Sequence, residues 1–202
     1  MVTARSIPPF PEPPSADQHF VIRGVPWKTY VLLREALDVP GLRMTFIEGA
    51  LEFMSPSPEH ERIKTMIARL VEMFAAETDA PLYGYGSTTF RRELKERGLE
   101  PDECYCVGAD LQHYPDVAIE VVMTSGGLDK LPVYRGLEVK EVWFWVDGRG
   151  FDLHALGENG YERIARSHLV PNLDFEVLAR FVPRTDQPQA IKEFRATLRS
   201  SG

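Results

Sequence analysis

Apolar residues recur along this chain with two periods, and the change from one to the other divides it into elements. Ile63, Met66, Ile67, Leu70, Val71 and Phe74 follow the i, i+3, i+4, i+7, i+8, i+11 series, which predicts an amphipathic helix of about five turns. Ser57 can cap it, and Pro58 suits its first position. The same register places Glu59, four residues before Ile63, on the core side. A shorter helix is expected from Tyr30, Leu33, Ala36 and Leu37, closed near Pro40 and Gly41. Between the two, Met44 to Ile47 and Leu51 to Met54 read as a hairpin turned by Glu48-Gly49.

Beyond the long helix, strand-like runs cover Pro81 to Tyr85, Ser87 to Arg92, Glu103 to Val107 and Val117 to Met123. A helix over Leu128 to Leu137 tolerates Pro132 in its first turn, where backbone N–H groups have no intrahelical partner. Glu141 to Val146 is apolar on both faces, as a doubly covered central strand would be. Asp147-Gly148 and Asn159-Gly160 then turn the chain through Phe151 to Leu156 and Tyr161 to Ala165. Residues 174–182 and 188–200 read as terminal helices. The fold class expected is therefore α/β (α+β), a mixed central sheet flanked by helices.

At 202 residues the chain can bury roughly 70% of its unfolded surface, enough for one domain without metal or disulfide staples. Five prolines between Pro8 and Pro14 mark residues 1–20 as a flexible proline-rich arm, leaving 21–202 as a single domain. Cys104 and Cys106 match neither a disulfide framework nor a CxxC site and are expected to be reduced and buried. No run approaches the about 20 apolar residues of a membrane span, and the start lacks a secretory signal, so a cytoplasmic location is expected. Lys and Arg number 23 against 30 Asp and Glu, a net charge of -7, which argues against a protein that coats DNA without regard to sequence. The NTPase, zincin and serine-hydrolase signatures GxxxxGK[ST], HExxH and GxSxG do not occur.

One feature of the pattern is expensive. Glu120 interrupts the apolar strand Val117-Ala-Ile-Glu-Val-Val122, and a lone buried carboxylate is costly unless paired or metal-bound. Alternation places Glu120 on the face of Asp116 and Ala118, and Asp102 on the face of Cys104 and Cys106. On adjacent strands Asp102 and Glu120 could converge as oxygen ligands for a hard divalent ion, with Lys130 positioned to act on water or phosphate. Each residue has a plainer alternative. Glu120 could be an acid satisfied by an Arg or by backbone donors, Asp102 a turn residue after Pro101, Glu59 a complement to its helix dipole, and Lys130 a solvated cation. Asp116 competes with Asp102, and the cluster Arg91, Arg92, Lys95 and Arg97 could touch phosphates or simply be solvated.

Four segments carry a resemblance: Phe46-Ile-Glu-Gly-Ala-Leu-Glu-Phe-Met-Ser-Pro-Ser-Pro-Glu-His60, Glu100-Pro-Asp-Glu103, Pro115-Asp-Val-Ala-Ile-Glu-Val121, and Asp129-Lys-Leu-Pro-Val-Tyr-Arg-Gly-Leu-Glu-Val-Lys-Glu-Val-Trp143. In these residues the chain resembles the Uma-two family of the PD-(D/E)XK restriction-endonuclease-like superfamily, over roughly residues 25–182. The resemblance implies a restriction-endonuclease-like core. Its activity would be Mg²⁺- or Mn²⁺-dependent endonucleolytic hydrolysis of DNA, with Asp102 and Glu120 as metal ligands and Glu59 as the acid of the first core helix. Position 122, where the motif puts its Lys, is Val, so Lys130 would be the displaced counterpart. A homodimer is compatible with this reading. The alternatives are a non-catalytic nuclease-fold module that binds nucleic acid or a protein partner, and a small-molecule hydrolase using the same acids.

Overall fold

The computed structural model describes residues 14–39, 41–124 and 127–200. The chain runs β1 (Gln18–Arg23), α1 (Trp27–Ala36), β2 (Arg43–Ile47), β3 (Ala50–Ser55), α2 (Pro58–Thr78), β4 (Leu82–Gly84), β5 (Phe90–Arg92), β6 (Arg97–Leu99), β7 (Glu103–Val107) and β8 (Val117–Val122). It continues through α3 (Leu131–Leu137), β9 (Glu141–Val146), β10 (Gly150–Gly157), β11 (Gly160–Ile164), α4 (Phe175–Phe181) and α5 (Gln187–Ser200). The α/β class expected from the pattern is what forms. Its strands, however, build two sheets rather than one: a five-stranded sheet ordered β1-β3-β2-β6-β5 and a six-stranded sheet ordered β11-β10-β9-β8-β7-β4. The β2–β3 hairpin recruits β1 and β6 as antiparallel partners and buries its own cluster of Tyr30, Met44, Phe46 and Leu51. It therefore has a core of its own and does not extend the larger sheet.

Glu48 and Gly49 both take positive φ in the β2–β3 turn, which is what a two-residue hairpin loop requires. In the larger sheet only β8 and β9 run parallel among neighbouring strands of the described residues. A parallel pair needs a crossover, and α3 supplies it. One face of this sheet packs α2, α4 and α5 through Val117, Ile119, Val121, Trp143 and Trp145. The other face packs α3 through Cys104, Ala118 and Val142. Both cysteines are free and buried. Among the described residues no helix is long and apolar enough to cross a membrane.

Four details differ from expectation. Strand β1 spans the point at residue 20 where the arm was expected to end, while the proline run up to Pro13 lies outside the described residues. In β1 the apolar Phe20 and Ile22 face outward while His19 and Val21 are partly buried, so the strand lacks the clean apolar-in, polar-out alternation of a half-buried strand. Helix α2 begins at Pro58 under the Ser57 cap, but its buried face starts at His60 and leaves Glu59 exposed. Helix α3 starts at Leu131 rather than Leu128, and the amide of Leu128 donates to the Glu52 carboxylate. The last hairpin turns on Glu158-Asn159, with Gly157 opposite Gly160.

Candidate active site

Strand β8 is buried on both faces, and Glu120, near its C-terminal end, is 1% exposed. Its Oε2 accepts a hydrogen bond from Lys130 Nζ at 2.6 Å, and its Oε1 accepts one from the Tyr134 hydroxyl. Lys130 caps α3 and Tyr134 lies four residues later, so one turn of helix directs both side chains at the same carboxylate. Burial, and secondarily the Glu120 charge, hold the Tyr134 phenol well above its ordinary pKa, so it remains a donor. The Lys130 side chain keeps 20% of its surface open. A buried acid thus faces a cation that still reaches solvent.

That pair forms one wall of a cavity of about 210 Å³ where the two sheets meet. The opposite wall carries Asp17 from the segment leading into β1, His19 from β1 and Glu52 from β3. Glu52 is also 1% exposed. Its Oε1 lies 2.5 Å from His19 Nδ1, and its Oε2 accepts the Leu128 amide at 3.2 Å. Gly127 packs against this pair so closely that a Cβ there would fall 2.5 Å from Glu52 Oε1. Glu52 therefore ties the loop that leads to Lys130 to the smaller sheet.

Asp102 immediately precedes β7, which pairs with β8, and its amide donates to the Ile119 carbonyl at 3.2 Å. Continuing the β7–β8 register sets Asp102 opposite Glu120. The Asp102 side chain is fully buried. Its Oδ2 accepts the Val121 amide at 2.7 Å, and its Oδ1 pairs with the Arg43 guanidinium and lies 2.9 Å from His60 Nε2. His60 Nδ1 in turn lies 2.8 Å from Asp17 Oδ2, and Asp17 Oδ1 accepts the Ser57 amide. Burial holds the His60 pKa below its ordinary value against the pull of Asp17. Arg43 reaches Glu61 at 2.7 Å on its other side.

Among the four residues singled out from the sequence, Glu120 and Lys130 meet directly, and Asp102 lies across the neighbouring strand in a separate bonding network. Glu59 joins neither. Its exposed carboxylate is held by Arg62 at 2.6 and 2.8 Å, and this pairing keeps its pKa below the usual carboxylate range. The residues not anticipated are Asp17, His19, Arg43, Glu52, His60 and Tyr134. Glu52 carries the signal that marked Glu120, an acid inside an apolar strand run. Arg91, Arg92 and Arg97 pair with Glu35, Glu138 and Glu48, so those cations already have acidic partners.

Ion ligation can be tested against the donors present. An ionised carboxylate offers about four acceptor sites. Among the described residues Asp102 receives three contacts and Glu120 two, which leaves acceptor capacity on both. Hard carboxylate oxygens suit Mg²⁺ or Mn²⁺. No group of three or more His, Cys, Asp and Glu side chains among the described residues could hold a metal ion as they stand.

A family model, Uma2, described as "Putative restriction endonuclease", matches residues 27–181. No curated protein matches the chain. Among solved structures, the chain is similar to one described as a "putative nuclease belonging to DUF820" from Anabaena variabilis ATCC 29413. The two share 14% identity with a TM-score of 0.47, over 82% of this chain and 98% of that one.

Proposed function

Because this chain belongs to the Uma2 family, we propose that it is a Mg²⁺- or Mn²⁺-dependent endonuclease that hydrolyses DNA phosphodiester bonds at the cavity beside Glu120. The observation that carries this reading is the buried Glu120 carboxylate facing the partly open Lys130 ammonium on the wall of that cavity. Asp102 and Glu120 would hold the ion. When bound, it supplies an activated water and neutralises charge on the phosphate.

The remaining work falls to the chain itself. Tyr134 orients Glu120 through a donor that stays protonated. Lys130 brings a positive charge to the cavity, where it can orient water or stabilise charge developing on the phosphate oxygens. Arg43 and His60 fix Asp102 and offset its burial. The net charge of -7 leaves little general affinity for long DNA, so local contacts have to position the substrate.

Nicking of supercoiled plasmid, compared with Mn²⁺, with Mg²⁺ and with chelator, tests the reading. Ion-dependent nicking that Lys130→Ala reduces without changing ion affinity is the expected result. Nicking that persists in chelator, or is unaffected in both Glu120→Gln and Lys130→Ala, overturns it.

A further inference from the structure

The wall of the cavity opposite Glu120 contains a histidine–carboxylate couple that the proposed mechanism does not use. His19 and Glu52 are 33 residues apart and 2.5 Å apart in space. His19 belongs to β1, which lies outside the matched residues 27–181. The couple is held on several sides. Glu52 is 1% exposed, Leu128 donates its amide to Glu52 Oε2, and Gly127 leaves no room for a side chain beside either partner. The His19 ring keeps 18% of its surface open and lines the same cavity as Lys130.

A carboxylate can only accept, so Glu52 holds a proton on His19 Nδ1. Nε2 is then the nitrogen left to exchange protons. The cavity that the ring lines is also lined by the carboxylates of Asp17, Glu52, Glu120 and Asp129 and the ammonium of Lys130. We infer that His19 is a catalytic residue of the phosphodiester hydrolysis, donating the Nε2 proton of its imidazolium to the leaving sugar oxygen, with Glu52 as the positioning residue that fixes its tautomer. This rests on the nuclease reading above. In the step, the oxygen of a water forms its bond to phosphorus as the bond from phosphorus to the leaving oxygen breaks. The imidazolium proton passes to that oxygen, which departs as a hydroxyl. The proton lost by the water goes to solvent, and the imidazole is reprotonated from solvent.

An acid of this kind matters most when the leaving group is a poor one, and that separates it from a structural role. His19→Asn places an amide N–H close to the position of Nδ1, so a donor to Glu52 survives while the exchanging nitrogen is lost. With Mn²⁺, this variant should cleave oligonucleotide DNA roughly 100-fold or more slowly. It should hydrolyse thymidine 5′-(p-nitrophenyl phosphate), whose p-nitrophenolate leaves without a proton, within about threefold of wild type. Equal losses on both substrates, or none on either, overturn the assignment. Nitrogen-15 NMR of the imidazole supplies a readout independent of turnover: once the Nε2 proton has been removed by raising the pH, the neutral wild-type ring should keep its remaining proton on Nδ1, and Glu52→Gln should release that preference. A wild-type His19 protonated on Nε2 alone overturns the inference even if the protein cleaves DNA. Wild-type protein inert toward both substrates overturns the nuclease reading and this role together.

Discussion

Glu120 and Glu141 sit on the neighbouring parallel strands β8 and β9, each 1% exposed, and their surroundings separate a candidate reacting group from a structural one. Glu141 accepts from Trp143 Nε1 and Ser167 Oγ on one oxygen and from the His168 and Leu169 amides on the other. Four neutral donors fill a carboxylate's acceptor sites, and the result is a staple that fastens residues 167–169 to the start of β9. Glu120 receives two donors, one of them a charged side chain that reaches solvent, and faces a cavity. Burial does not distinguish the two acids. Remaining acceptor capacity and access do.

Exchanging each acid for its amide tests this contrast most severely. Glu120→Gln should fold and lose ion-dependent cleavage by roughly a thousandfold, the equivalent of about 4 kcal/mol in the barrier. It should also lose most of the thermal stabilisation that the ion gives wild type, since a ligand bound only by the folded state raises apparent stability. Plasmid nicking and melting curves with and without Mn²⁺ measure both. An active Glu120→Gln would place that residue with Glu141.

The counterpart, Glu141→Gln, presents an amide –NH₂ to groups that are themselves donors. Lost charge-assisted bonds and a new donor–donor clash should cost about 2–4 kcal/mol. For a domain of this size, that lowers the melting temperature by roughly 5–15 °C. Cleavage per folded molecule should be unchanged at a temperature where the variant is fully folded. A stable variant with impaired turnover would break the comparison from the other side.

Glu120 was singled out in the sequence as a charge inside an apolar run; Glu52, between Leu51 and Phe53, carries the same signal, and Glu141 opens its apolar strand directly after Lys140. What separates them was not visible there, because it depends on partners brought in from a distance: residues 167–169 for Glu141, the first turn of α3 for Glu120, and His19 for Glu52. The larger sheet was legible because its strands are doubly apolar or cleanly alternating, and Glu141–Val146 falls where the pattern put it. The smaller sheet was less so. Strand β1 turns Phe20 and Ile22 outward, and β6 has only three residues, Arg97–Leu99. The placement of Glu59 failed by one helical position: the cap and apolar series locate α2 correctly, but a stripe beginning at either residue 59 or 60 fits the same spacing. His60 takes the buried place and bridges Asp17 and Asp102.

A smaller effect is expected from Tyr134→Phe, which removes the neutral donor from Glu120 and leaves Lys130 in place. Loss of one hydrogen bond to a buried carboxylate should cost about 1.5–3 kcal/mol of stability. Turnover should fall by about tenfold if Tyr134 serves mainly to aim the acid, a loss of roughly 1.4 kcal/mol in the barrier. Steady-state kinetics beside a denaturation curve resolve the two. A fall as deep as that of Glu120→Gln would mean that Tyr134 itself touches the reacting groups.

The smallest effect should come from Cys104, which shares the α3-facing side of the sheet with Glu120 and so tests whether proximity alone confers a role. Its thiol packs with Ala118 and Val142 and donates to the Gly86 carbonyl at 3.2 Å. Burial pushes its pKa up to about 12, which leaves about one molecule in ten thousand as thiolate at pH 8. A thiol in that state is neither a nucleophile nor a ligand, so Cys104→Ser should keep wild-type cleavage and lose roughly 1 kcal/mol of stability from weaker packing. Iodoacetamide at pH 8 should leave Cys104 unmodified in the folded protein, as read by mass spectrometry of its peptide. Rapid alkylation, or loss of cleavage in a well-folded Cys104→Ser, would show that the reacting region extends along the strand beyond the cavity, and the line drawn between Glu120 and its neighbours would have to move.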